Sequence, residues 1–159
     1  MIELSSGTRT CPSAASTQEL AQAIGAQLSA GDVVILVGPL GAGKTTFTQG
    51  LARGLEVQGR VTSPTFQIAR EHHPINDGPT LIHVDAYRLL EAGEDPIDAL
   101  ESLDLITELD HAVVVAEWGG GMMEQLAQRY IQITIDRTTA AEQDPESEAR
   151  IISWETKEG

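Results

Sequence analysis

The sequence is short of positive charge, of cysteine and of long apolar runs, and each shortage closes off a class of function. Lys and Arg number 10 against 24 Asp and Glu, a formal net charge of -14. Neutralising phosphates with Lys and Arg supplies most sequence-independent affinity for nucleic acid, so this chain is a poor autonomous binder of RNA or DNA. The acidic surplus reads as a solvated face, or as a surface that meets a basic partner. A single cysteine, Cys11, excludes an internal disulfide and a Cys-rich metal cage. Met1 to Ser16 has neither the basic start nor the apolar run of a signal peptide. Nowhere do about 20 apolar residues follow one another, so no membrane span is expected and the cytoplasm is the expected compartment.

What is present is enough for one buried core: 159 residues, 41% of them hydrophobic, read as a single domain over 1–159. Ser16 and Glu19 have capping-box spacing, and Leu20, Ala23, Ile24, Gln27 and Leu28 recur at helical intervals, predicting a helix from near Thr17 that Gly31 ends. Val33-Val34-Ile35-Leu36-Val37 is a continuous apolar, β-branched run, the pattern of a strand buried on both faces. Lys44 to Leu55 reads as the next helix, with Gly50 and Gly54 weakening its later turns. Phe66 to Ala69 and Leu81 to Val84 look like strands of an exposed hairpin around Pro74 to Pro79. Helical patterns follow over Leu89 to Leu109, broken near Gly93 to Pro96, and over Met122 to Gln128. Val113 to Ala116 is a second buried strand, and Tyr130 to Asp136 with Ile151 to Trp154 form an antiparallel pair. The expected architecture is a three-layer α/β P-loop nucleotide-binding fold, with a mixed, mainly parallel central sheet flanked by helices.

Between the first strand and its helix stands Gly38-Pro39-Leu40-Gly41-Ala42-Gly43-Lys44-Thr45, a full G-x-x-x-x-G-K-T pattern in the strand, loop and helix context it requires. Glycines allow a tight loop whose N–H groups point at phosphate oxygens, and the following helix adds the positive end of its macrodipole. Lys44 should reach the β and γ phosphates and the Thr45 hydroxyl should ligate Mg²⁺. A carboxylate at the tip of a neighbouring strand is also needed, and two compete. Glu117 follows the more apolar strand and is the preferred metal-side acid. Asp85 then orients the attacking water or acts as general base, although the two roles can be exchanged.

The Thr62-Ser63-Pro64-Thr65-Phe66 loop is either a phosphate-sensing switch or a turn capped by its own hydroxyls. Trp118 is either near the nucleotide or in the core. His72, His73 and His83 lie at no metal-ligand spacing with the cysteine and are read as hairpin residues. Guanine-reading motifs are missing: no Asp has Gly three residues later, and Asn76, the sole asparagine, precedes Asp77 rather than lysine. The arginines are dispersed, so the Arg-bearing lid of a small-molecule kinase is not evident. On the residues alone, a kinase and a regulatory module that uses ATP only to change shape remain alternatives to an ATPase.

The P-loop extended by Thr46-Phe47, then Ser63-Pro64-Thr65-Phe66, then His83-Val84-Asp85-Ala86-Tyr87-Arg88-Leu89, then Glu117-Trp118, resembles the bacterial TsaE family, with four motifs in order across most of the chain. The resemblance implies an ATPase that works with TsaB and TsaD in forming threonylcarbamoyladenosine at position 37 of tRNAs reading codons that begin with A. In the family, hydrolysis supports turnover of the transferase and does not itself transfer the threonylcarbamoyl group, and tRNA is met only through the complex. Carried over by motif, ATP contacts fall on Leu40, Gly41, Ala42, Gly43, Lys44, Thr45 and Thr46, with Thr65 in the switch-like segment and Trp118 beside the nucleotide. Mg²⁺ ligands fall on Thr45 and Glu117, and Lys44, Asp85 and Glu117 carry the catalytic roles. Family members often have a Gly-Arg pair before the last strand; this chain has Glu146-Ser147-Glu148-Ala149-Arg150 instead.

Overall fold

A computed structural model describes residues 5–38, 44–57, 69–75, 78–85, 111–117, 129–136 and 149–158. Their elements run β1 (Ser6–Cys11), α1 (Ala14–Gly25), β2 (Val33–Val37), α2 (Lys44–Leu55), β3 (Ala69–His72), β4 (Thr80–Asp85), β5 (Ala112–Glu117), β6 (Arg129–Asp136) and β7 (Arg150–Glu158). The strands form one seven-stranded sheet in the order β1-β7-β6-β2-β5-β4-β3. Its middle is parallel, β2 pairing with β5 and β6, and β4 with β5. Its edges are antiparallel, through β1–β7, β6–β7 and β3–β4. The expected helical patterns over 89–109 and 122–128 lie outside the described residues. Among those described, no helix is long and apolar enough to cross a membrane.

The apolar runs explain the middle of this sheet. Val34, Leu36, Val113, Val115, Ile131 and Ile133 share one buried cluster with Leu20, Ile24, Phe47 and Leu51 of the two helices. Val33, Ile35, Val114 and Ala116 alternate with these along the strands and are equally buried, as a sheet with a layer on each face requires. The helices meet on glycines. A Cβ at Gly50 would lie 2.5 Å from the Gln18 carbonyl oxygen and 2.6 Å from the Ala21 Cβ, and one at Gly25 would lie 2.5 Å from the Leu51 carbonyl oxygen. Gly50, read from sequence as a weak point of α2, is therefore what lets α1 approach it.

Three local expectations are corrected. The capping box is Ser13 with Ser16, not Ser16 with Glu19, and α1 starts at Ala14. Ser16 N–H donates to Ser13 Oγ at 3.2 Å, and Ser13 N–H to Ser16 Oγ at 2.9 Å. The helix also ends earlier, at Gly25; Gln27 and Leu28 then bond three residues back, a tightened last turn. Gly31 instead turns into β2 with φ 97° and donates its N–H to Ala112. Finally, β3 and β4 do pair as a hairpin, but β4 is no exposed arm. It lies between β3 and β5 with Leu81, Ile82, His83 and Val84 buried, because this run is apolar on both faces.

Candidate functional site

The site assembles where β2, β5 and β4 reach their C-terminal ends, the end at which open α/β sheets form their ligand crevice. β2 ends at Val37, and Lys44 is the first residue of α2. No acidic residue sits in the first turn of α2, so the positive end of the helix dipole is not offset locally. Lys44 is 8% exposed, and its Nζ donates to the Gly38 carbonyl oxygen at 3.1 Å. That bond spans the whole loop and ties the start of the helix to the end of the strand. The Thr48 hydroxyl donates to the Lys44 carbonyl oxygen at 2.9 Å, which fixes the first turn further.

Parallel pairing then supplies the acids. Leu36 of β2 registers with Glu117 of β5, and Glu117 registers with Asp85 of β4, so both sequence-predicted acids stand at strand ends side by side. Glu117 is on the strand adjacent to β2, and Asp85 one strand further out. The Glu117 side chain is on the same face as Leu36 and the helices, and its Oε1 lies 3.5 Å from the Thr45 hydroxyl, which donates to it. Thr46 follows in the same first turn, half-buried. Leu40, Gly41, Ala42, Gly43, Thr65 and Trp118 lie outside the described residues, as do the remainder of the Thr62 to Phe66 segment and the tail of the His83 to Leu89 motif beyond Asp85.

The hydroxyl and carboxylate at this end fit a magnesium ion by the chemistry of the donors. Mg²⁺ takes oxygen ligands at about 2.1 Å in an octahedron, which sets neighbouring ligands about 3 Å apart, and it draws few of them from protein. Thr45 Oγ1 and Glu117 Oε1 are close to that spacing. Among the described residues, no group of three or more His, Cys, Asp and Glu side chains is gathered to hold a metal.

Sequence reasoning missed one member of this constellation. His83, read as a hairpin residue, is 0% exposed, and its Nε2 lies 3.2 Å from Oε1 of Glu117, itself 7% exposed. It faces the helices on β4, registered with Val115. An ionised carboxylate can only accept, so Nε2 carries the proton and donates. Among the described residues Nδ1 then has no hydrogen-bond partner, a buried polar atom left unsatisfied at a cost of about 1–3 kcal/mol. The available signal was a lone polar residue inside an apolar strand, two positions before a strand-end acid.

A parallel βαβ core, a strand-to-helix loop bridged by the first lysine of the helix, and an acid at the tip of the adjacent strand define a P-loop nucleotide-binding protein. Comparison narrows the class. Residues 11–146 match the family described as "Threonylcarbamoyl adenosine biosynthesis protein TsaE". Proteins named tRNA threonylcarbamoyladenosine biosynthesis protein TsaE are similar to this chain in Mycobacterium tuberculosis and in Streptomyces coelicolor. The first is 47% identical over 150 residues, 93% of this chain and 86% of its own length. The second is 51% identical over 120 residues, 76% and 78% of the two chains. The crystal structure of YdiB from Bacillus subtilis superposes with a TM-score of 0.67 at 31% identity, covering 100% of this chain and 90% of its own. The chain belongs to the TsaE family.

Proposed function

We propose that this protein is a magnesium-dependent ATPase of the cytoplasm that works with TsaB and TsaD in forming threonylcarbamoyladenosine on tRNA, its hydrolysis supporting repeated turnover of the transferase. The observation that carries the reading is the convergence of Lys44, Thr45 and Glu117 at the ends of β2 and β5, within a chain of the TsaE family. Lys44 and the first-turn N–H groups of α2 bind the β and γ phosphates, with Leu40 to Gly43 wrapping the same anion. Thr45 and Glu117 hold the magnesium, which when bound neutralises charge that develops on the phosphate oxygens. Asp85, beside Glu117 in register, orients the attacking water or takes its proton, and Thr65 and Trp118 contact the nucleotide.

The charge of -14 supports leaving tRNA to the partners, since this chain would repel an RNA backbone. The test is reconstitution with TsaB and TsaD, following phosphate release and modified tRNA over several turnovers with Lys44→Ala as control. Free phosphate should accompany ADP, the partner pair should raise the rate, and the control should fail after the first turnovers. A variant that sustains many turnovers without hydrolysing ATP would sink the mechanism, and a phosphorylated small molecule in place of free phosphate would redirect it to a kinase.

A further inference from the structure

Glu117 is reached from two sides, and only one of them is accounted for by the nucleotide. Thr45 approaches from α2 and His83 from β4, both onto Oε1, while among the described residues no hydrogen bond falls on Oε2. A glutamate has three side-chain torsions, and holding it in one arrangement at the rim of a crevice needs a partner that is itself fixed. His83 is such a partner. It is fully buried and registered with Val115, and β4–β5 pairing sets it diagonally behind Glu117, two residue pairs in from the strand ends. Core packing alone does not call for a histidine there: an apolar side chain would fill the position without leaving Nδ1 unpaired.

We propose that His83 is a positioning residue, donating from Nε2 to Oε1 so that the Glu117 carboxylate is presented toward Thr45 in the arrangement that receives magnesium. The inference rests on the proposed function, because it takes Glu117 as the metal-side acid. His83 does not touch nucleotide or metal on this account; it acts through Glu117, as partners of metal ligands commonly do, and their loss typically weakens metal binding about 10- to 100-fold.

The test reads metal binding rather than turnover. ADP affinity of the full chain is measured by calorimetry across a magnesium titration, and again with EDTA, for wild type, Glu117→Gln, His83→Leu and His83→Gln. The amide of Gln reaches about as far as Nε2 and keeps a donor; Leu keeps volume and removes it. We expect His83→Leu to bind ADP within about twofold of wild type in EDTA, to need about tenfold more magnesium, and to lose nothing further when combined with Glu117→Gln. His83→Gln should recover most of the wild-type magnesium dependence. A folded His83→Leu with wild-type magnesium dependence overturns the proposal while leaving the site reading intact, provided Glu117→Gln has lost that dependence. If Glu117→Gln also keeps it, the site reading falls and His83 with it. Should His83→Leu not fold, His83→Asn, whose amide is too short to reach Oε1, takes its place against His83→Gln, and equal magnesium dependence of that pair overturns the proposal.

Discussion

Along β6 the side chains alternate without a break: Ile131, Ile133 and Ile135 are buried, while Tyr130, Gln132, Thr134 and Asp136 are half-exposed. Along β5 all six residues are buried, and the run ends on a carboxylate; along β4, Thr80 to Val84 are buried too, with a histidine among them. The antiparallel flank of β6, β7 and β1 keeps its polar groups toward water, where the Thr8 and Ser153 hydroxyls pair at 3.3 Å. In the parallel middle, polar groups sit where burial makes them expensive, and among the described residues His83 Nδ1 is left without a partner. A chain selected only for stability has no reason to place them there. The difference separates a scaffold from the site it carries.

Substitutions can break that comparison or sharpen it. Lys44→Ala removes the charge at the start of α2. It should weaken ATP binding about 10- to 150-fold, the equivalent of the roughly 1.5–3 kcal/mol of a charged hydrogen bond, as read by calorimetry. Wild-type affinity would place the nucleotide elsewhere. Cys11 on β1 is buried, and burial pushes its thiol pKa up against the opposing effects of the Thr17 hydroxyl and Arg9. The thiolate is therefore disfavoured, and iodoacetamide should label the folded chain about tenfold more slowly than the urea-unfolded chain. Fast labelling would mean that the flank opens readily.

Gly50→Ala tests the seam that carries α2. The roughly 1 kcal/mol gained in helix propensity is set against an overpacking cost of about 1–3 kcal/mol on the backbone of α1, so urea unfolding should show a net loss of up to about 2 kcal/mol. A stabilised variant would show that the helices can part freely. Thr8→Ala, at the solvated end of the comparison, should change stability by less than about 0.5 kcal/mol and leave nucleotide binding untouched.

The parts legible in the sequence were those whose signal is local. Val33–Val37 was bounded to the residue, and Val113 to Ala116 and Tyr130 to Asp136 to within one, since unbroken or strictly alternating apolar runs admit few other readings. The runs Leu81 to Val84 and Val113 to Ala116 placed Asp85 and Glu117 at strand ends. What escaped depends on neighbours far along the chain. Ser6–Cys11 is polar and exposed for most of its length, and becomes a strand only because β7 offers it a ladder. Ser13 and Ser16 compete with Ser16 and Glu19 for the same cap spacing, and only the backbone decides between them. Gly50 looked like a defect until α1 lay against it. His83 looked like a residue of an exposed hairpin because its partner is 34 positions away.

The most direct test of the account is phosphate release with TsaB and TsaD present, comparing wild type with Glu117→Gln at saturating magnesium and ATP. Wild type should hydrolyse faster with the partners than alone, and Glu117→Gln should fall on the order of 100-fold, the equivalent of about 2.7 kcal/mol of metal-borne charge stabilisation. A wild-type rate indifferent to the partners, or a Glu117→Gln rate equal to wild type, would contradict it.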